Sequence, residues 1–231
     1  MHHEVSLLTH YLNSWFGLHL ADHVVMGTLV LLISVLVFIV LRSKPEMVPS
    51  PAQSFYEGIL KALSNILDDS MGRKGRRFLP FVTSLAVFIF LSNVIGLIPG
   101  FTSPTSNLNT TAALAVLVFL YYNFHGFKAN GWRYLEHFIA PKGPIVMRIV
   151  MSLLFIPIEI ISHLARPFSL AIRLFVNMFG DHIVLAVFVG LVPFILPIPL
   201  MALGLFVCFI QTLIFVILTI IYLSGSVEHA H

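Results

Sequence analysis

The long apolar segment between residues 145 and 190 carries side chains that could transfer protons or hold a mobile ion. An arginine at the centre of a membrane-spanning helix costs about 2.5–3.5 kcal/mol on the mildest scale, so intramembrane ionisable groups mark ion paths or buried partners. The candidates are seven polar residues: Glu159, His163, Arg166, Arg173, Asn177, Asp181 and His182. They predict either a proton path or a buried charge network.

Helical spacing places most of these side chains on one face. At about 100° per residue, all of them except His182 lie within about 40° of Glu159. Leu170 falls in the same stripe and interrupts it, and His182 points away at about 140°. The pattern predicts a helix with one polar stripe.

Two interpretations of the stripe remain open. Glu159, His163 and Arg166 could form an internal network that only orders the helix. Arg173 is harder to explain in that way, because no acid lies three or four residues from it. Its counter-charge is therefore expected on another helix or chain. A carboxylate brought past this arginine would release its proton and regain it in an apolar environment, as in an ion-translocating stator.

The residues that follow Arg173 favour a water-filled proton path over simple packing. Asn177, Asp181 and His182 combine an amide, an acid and an imidazole, which titrates near neutrality. Gln211 stands alone in the last apolar run. By spacing alone its amide indicates a structural hydrogen bond between helices.

The composition requires a membrane. Of the 231 residues, 58% are hydrophobic and 10% charged, against about 45–50% and about 25% in soluble domains. These values exclude a soluble enzyme. The single cysteine, Cys208, excludes an intramolecular disulfide.

Other functional motifs are missing. The basic run from Gly72 to Arg77 lacks the features of a phosphate loop, so no ATP site is expected. The cations lie beside apolar spans, where they contact lipid, so no nucleic-acid partner is expected. His19 and His23 lie one helical turn apart but have no third ligand, so neither a metal nor a cofactor is expected.

The apolar runs predict an all-α, polytopic membrane protein. About five membrane-embedded helices and one interfacial amphipathic helix are expected in a single membrane domain. The segments are a polar N-terminus (1–23), a first span (24–41), the interfacial helix (54–67), a second span (79–98), a third span (110–124), a long helix (145–190) and a final helix (200–223).

The long segment cannot stand upright. As one helix, its 46 residues would extend for about 69 Å, against a hydrocarbon core about 30 Å thick. It must be broken, with Pro157 and Pro167 as candidate bends, or strongly tilted.

The charges predict the orientation. Eleven of the 13 lysines and arginines lie in the segments 42–44, 61–77 and 128–148, which fall on one side of the membrane. By the positive-inside rule that side is cytoplasmic, with the N-terminus outside and the C-terminus inside.

Three stretches carry a resemblance to a known family. The run from Arg166 to His182 reads RPFSLAIRLFVNMFGDH and closely resembles the signature of subunit a of the F-type ATP synthase. The stretches 92–109 (SNVIGLIPGFTSPTSNLN) and 211–222 (QTLIFVILTIIY) are similar to its second-span exit and its final helix.

The resemblance implies a role for each site residue. Arg173 would be the essential arginine that faces the carboxylates of the rotating c-ring. Asn177, His182 and Gln211 would line the half-channel open to the outside, and Glu159 and Ser169 would lie near the cytoplasmic half-channel. His163 and Arg166 remain a secondary network.

The resemblance also implies the setting. The last two helices would form a tilted hairpin against the ring. The partners would be the c-ring, the peripheral-stalk b subunits, membrane lipid and the transported proton. The expected location is a bacterial plasma membrane. Sodium is less expected than the proton, because no oxygen-rich cation cage is evident.

Two positions depart from the family pattern. Val176 stands where glycine is usual, and Gly204 stands where many members carry an ionisable partner for the residue at position 182. Asp181 is expected to substitute for that partner.

Two rival functions make different predictions. A self-contained secondary transporter should show repeated halves, and none is evident in the sequence. A purely structural membrane subunit should lose assembly when Arg173 is replaced, whereas a stator should assemble and lose coupling.

Overall fold

The structure is a computed structural model that describes residues 9, 21–42, 51–98, 100–131, 145–191 and 197–228. Most of the predicted N-terminal segment 1–23, including His19, lies outside these residues. The elements are α1 (Asp22–Arg42), α2 (Pro51–Met71), a 3₁₀ turn (Gly72–Phe78), α3 (Leu79–Ile95), a short 3₁₀ turn (Pro104–Ser106), α4 (Leu108–Asn130), α5 (Ile145–Leu191) and α6 (Pro197–Glu228).

The predicted fold class is confirmed, since the described part of the chain is helical and contains no strand. Five helical stretches are long and apolar enough to cross a membrane: Asp22–Val40, Tyr56–Ile95, Leu108–Asn130, Ile156–Gly190 and Pro197–Val227. The chain is a polytopic membrane protein.

α2 turns into α3 through a compact basic 3₁₀ segment. Gly72 adopts φ +63°, a left-handed conformation that favours glycine. A Cβ on Gly75 would lie 2.9 Å from the backbone oxygen of Leu67, so this close approach also needs glycine. Arg76 forms a two-pronged ion pair with Asp68, with Nη2 2.6 Å from Oδ2. These contacts fix the angle between α2 and α3.

α6 packs against the other central helices. It contacts α2, α3, α4 and α5, and α5 also packs along α4. Because of this packing, α6 has more buried side chains than the outer helix α1. The core includes Leu67, Phe78, Val82, Ile89, Val118, Tyr122, Leu170, Leu174, Phe215 and Ile220.

α5 is a single helix of 47 residues. Pro157 and Pro167 lie inside it, so of the two alternatives for this segment, the break at a proline is not observed. The apolar stretch Ile156–Gly190 alone, with 35 residues, extends for about 52 Å. Since a hydrocarbon core is about 30 Å thick, a strong tilt remains the prediction for this helix.

Candidate functional site

Arg173 lies on the outward side of α5. Its side chain is exposed and forms no salt bridge or hydrogen bond with any described residue. Ser169, Val176 and Gly180 lie within about 60° of it on the helix. Ser169 and Val176 are exposed, and a Cβ on Gly180 would meet nothing within 4 Å. Arg173 is therefore the cation on an exposed strip of α5 whose other side chains are small, and a partner could approach this strip closely.

Asn177 joins α5 to α6. Its Nδ2 donates a hydrogen bond of 2.7 Å to Oε1 of Gln211, whose side chain is 2% exposed. The helix-to-helix contact inferred for Gln211 from spacing alone is therefore present. Nε2 of Gln211 is buried and has no hydrogen-bond partner among the described residues. That donor remains available to a water molecule in the same region.

A cavity of about 50 Å³ lies between α3, α5 and α6. Its lining includes Asn93, Gly96, Asp181, His182 and Gly204. Oδ2 of Asp181 and Nδ2 of Asn93 are both buried without a hydrogen-bond partner in the described ranges. A space needs about 10–15 Å³ to hold one water, and these two groups supply an acceptor and a donor. The cavity is therefore suited to water.

Two glycines allow the helices to approach at this cavity. A Cβ on Gly96 would lie 2.5 Å from Cβ of Ser103 and 2.9 Å from Nε2 of His182. A Cβ on Gly204 would lie 2.7 Å from Cδ2 of Leu97. The end of the Leu97 side chain thus occupies the space next to Gly204.

His182 lies against the end of α3 and lines the same cavity as Asp181. Helical spacing places His182 away from the polar stripe, but the side of α5 on which it lies also borders the cavity. The reason is that the turn after α3 lies against this side of α5, through Gly96 and the 3₁₀ turn Pro104–Ser106, so adjacent residues on one helix face a shared space.

A buried polar cluster closes the end of α3 and was not identified from the sequence. Oγ of Ser103 donates to the carbonyl of Ser92 at 2.8 Å, and Oγ1 of Thr105 donates to Oδ1 of Asn93 at 2.7 Å. All four residues are at most 2% exposed. In the sequence, the adjacent polar residues Ser92 and Asn93 inside an apolar span could have indicated this cluster.

The other polar residues of α5 lie toward its N-terminal half. Nε2 of His163 is 2.8 Å from Oδ1 of Asn123 on α4. The guanidinium of Arg166 lies over the ring of Tyr222, 5.5 Å from its centre, and within the described part of the chain it pairs with no carboxylate. Glu159 is partly buried one turn before His163. Asn123 was also missed by sequence analysis, although it is a polar residue within the apolar third span.

Among the residues that the structure describes, no group of three or more histidine, cysteine or acidic side chains could hold a metal ion. Nδ1 of His23 lies 3.3 Å from Nδ2 of Asn107. Cys208 is a free, fully buried thiol on α6.

Comparisons with known proteins agree over most of the chain. The family model described as ATP synthase A chain matches residues 23–224. The chain is 42% identical over 209 residues to "ATP synthase subunit a" of Sulfurihydrogenibium sp. (strain YO3AOP1), a match that covers 90% of this chain and 98% of that protein. It is 46% identical over 209 residues to "ATP synthase subunit a 1" of Syntrophotalea carbinolica, covering 90% and 87% of the two chains. It is 42% identical over 211 residues to "ATP synthase subunit a" of Geobacter sulfurreducens, covering 91% and 90%.

Proposed function

Since the chain belongs to the ATP synthase A chain family, and so is the proton-translocating stator subunit of an F-type ATP synthase, we propose that Arg173 is the residue that faces the carboxylates of the rotating c-ring. One observation carries this proposal. Arg173 is exposed on a narrow face of α5 and has no counter-charge among the described residues.

The physical role of Arg173 follows from its charge. A ring carboxylate beside the guanidinium is stabilised as the anion and releases its proton. When rotation carries it into an apolar environment, the neutral form is favoured and a proton is taken up from the other side. Because the fixed cation repels a proton that would cross directly, it also separates the two half-channels.

The outer half-channel uses the cavity at the end of α3. Asp181 and His182 line the cavity. Asn177 on α5 and Gln211 on α6 form a hydrogen-bonded pair nearer to Arg173. Water in the cavity connects these groups, since the unpartnered Oδ2 of Asp181 accepts hydrogen bonds. Asp181 thus takes the place of the ionisable side chain that Gly204 cannot supply.

The inner half-channel runs along the N-terminal half of α5. Glu159 is its acid, and Ser169 lies on the outward face between Glu159 and Arg173. His163 and Arg166 form a secondary network that orders this part of the helix. Apart from His163 and Arg166, the polar residues of the stripe then lie on one of two paths that end at Arg173.

The setting is a bacterial inner membrane with the N-terminus outside and the C-terminus in the cytoplasm, because the lysines and arginines flank the spans on one side. The helices cross at 24–41, 79–98, 110–124, 145–190 and 200–223, and the segment 54–67 lies at the interface. The partners are the c-ring, the b subunits of the peripheral stalk and lipid. The transported ion is the proton.

The test compares wild type with Arg173→Ala in inverted membrane vesicles that contain the whole complex. We expect normal assembly with loss of both ATP-driven proton pumping and gradient-driven ATP synthesis. Arg73→Ala is the matched control, because Arg73 is an exposed arginine in the 3₁₀ turn and should leave both activities unchanged. Retention of both activities by Arg173→Ala would show that the arginine is structural.

A further inference from the structure

His163 has a fixed hydrogen-bond partner on the neighbouring helix. Its Nε2 lies 2.8 Å from Oδ1 of Asn123, so a direct contact joins α5 to α4. The imidazole is partly buried between the two helices. A histidine held in this way keeps one ring orientation.

The contacts of Asn123 determine which nitrogen of His163 carries a hydrogen. Nδ2 of Asn123 donates to the carbonyl of Phe119 at 2.8 Å, so its Oδ1 is the accepting end of the amide. Nε2 of His163 must then be the donor to Oδ1. The neutral imidazole is therefore protonated at Nε2, and a second proton is gained or lost at Nδ1.

The surroundings accommodate both charge states of the ring. The rings of Phe119 and Tyr122 lie edge to face with the imidazole, with centres 5.3 and 5.5 Å away. Aromatic rings within about 6 Å can stabilise a cation. A protonated His163 is thus compatible with the same packing as a neutral one.

The charged and titratable groups near His163 come from three helices. On α5, Glu159 lies one turn before it and Arg166 lies three residues after it. On α4, Tyr122 contacts its ring, and on α6, Tyr222 packs against Tyr122 with ring centres 6.0 Å apart. Glu159 and His163 are spaced so that their side chains are neighbours on the helix surface. An acid and an imidazole are therefore adjacent on the inner side of Arg173.

We propose that His163 is a proton-relay residue of the inner half-channel and that Asn123 is its positioning residue. During synthesis, Nδ1 accepts the proton that a ring carboxylate has released and then passes that same proton toward Glu159 and the cytoplasm. No other bond forms or breaks. This inference rests on the proposed function, because it requires the inner path to lead from Arg173.

The test measures gradient-driven ATP synthesis in inverted vesicles with the whole complex, at a constant proton-motive force, while the pH of the medium at the cytoplasmic face is varied from about pH 5 to 8. In wild type the rate should fall on the acidic side, by up to about tenfold per pH unit, because a relay that stays protonated cannot accept a proton. His163→Gln keeps an amide donor for Asn123 but does not titrate. It should assemble normally, synthesise ATP more slowly at the optimum and lose the acidic decline.

His125→Gln is the matched control. His125 lies on α4, whereas His163 lies on α5. Like His163, it packs among aromatic rings, but those rings belong to Phe78 and Tyr121. This variant should keep the wild-type pH profile. A wild-type profile in His163→Gln, or equal changes in the two variants, would overturn the relay.

A second variant keeps the test decisive if His163→Gln assembles poorly. Asn123→Asp places a carboxylate at the accepting position and favours the doubly protonated imidazole, so the acidic decline should move to higher pH. An unmoved decline would contradict the role of Asn123. Arg173→Ala in the same vesicles tests the proposed function separately. If this variant still couples proton flow to ATP synthesis, the proposed stator site is wrong, whatever pH profile the His163 variant shows.

Discussion

Arg173 and Asp181 lie two turns apart on α5, yet their environments differ completely. Arg173 is exposed on the outward face, whereas Asp181 lines an internal cavity and its Oδ2 is buried without a partner among the described residues. Because neighbouring elements cover only one side of α5 here, a single helix leaves one charged side chain exposed and places the other at a cavity. The side of the helix on which a residue lies therefore determines its environment.

Asp181→Asn should slow proton movement without affecting assembly. The amide has nearly the same shape as the carboxylate but cannot hold a proton at neutral pH, so pumping should fall by about tenfold or more. The measurement is the initial rate of ATP-driven pumping in vesicles. Asp181→Glu, which keeps the acid, should recover part of the rate, and a wild-type rate in Asp181→Asn would place the outer path elsewhere.

Asn177 and Gln211 should act as one unit. Removing either partner of their 2.7 Å hydrogen bond leaves the other buried amide without it. Asn177→Ala and Gln211→Ala should each reduce pumping, and the double variant should be no slower than the slower single variant. The check is a double-mutant cycle on the pumping rate, in which strictly additive losses would show that the two amides work independently.

At the scale of elements, the end of α3 shapes the cavity. Its last turn approaches α5 through Gly96 and α6 through the contact of Leu97 with Gly204, and the cluster of Ser103 and Thr105 holds the following turn in place. The cavity thus depends on three helices meeting closely. A small change in backbone distance here would change the cavity.

Gly96→Ala should destabilise this junction. Its Cβ would lie 2.5 Å from Cβ of Ser103, which cannot move without shifting the turn, and overpacking of this kind costs about 1–3 kcal/mol. The midpoint of heat-induced dissociation of the purified complex should fall. Gly58→Ala on α2 is the control, because nothing lies within 4 Å of its Cβ.

Gly204→Ala should be milder than Gly96→Ala. The added Cβ meets only Cδ2 of Leu97, the end of a flexible side chain that can change rotamer. The double variant Gly204→Ala with Leu97→Ala lacks this clash, so its dissociation midpoint should be close to that of Leu97→Ala alone. Equal losses for Gly96→Ala and Gly204→Ala would contradict this ranking.

The helical fold class and the exposed position of Arg173 were within reach of sequence analysis. Long apolar runs predict helices because their backbone groups must be paired inside a membrane, and Arg173 had no acid at helical spacing. The partnerships of Asn93 and Asn123 were not predictable, because they join residues far apart in the chain. Helical angles describe one helix in isolation. They could not show that His182 shares a cavity with Asp181, because the cavity is formed together with residues far away in the chain.

At the scale of the whole molecule, apolar surface and charge are separated. Large exposed hydrophobic side chains cover α1 and much of α5 and α6, whereas the exposed cations of the 3₁₀ turn stand beside α2. Such a surface is stable only where lipid or other subunits cover it. The charge distribution then sets which end of each helix faces the cytoplasm.

Cysteine labelling should report this orientation. In a Cys208→Ser background, which removes the buried thiol, Asn109→Cys should react with a membrane-impermeant reagent applied to intact cells. Lys74→Cys should react only when inverted vesicles expose the cytoplasmic face. The opposite pattern would reverse the assigned topology.

The exposed guanidinium on α5 also bears on biogenesis. A free copy of this chain in a bilayer presents Arg173 to hydrocarbon, at a cost of about 2.5–3.5 kcal/mol on the mildest scale. If Arg173 faces a carboxylate-bearing ring as proposed, docking removes most of that cost, and the same residue then also favours incorporation over the solitary state. Copies made in excess of the ring are consequently the less stable population and the first available to membrane proteases.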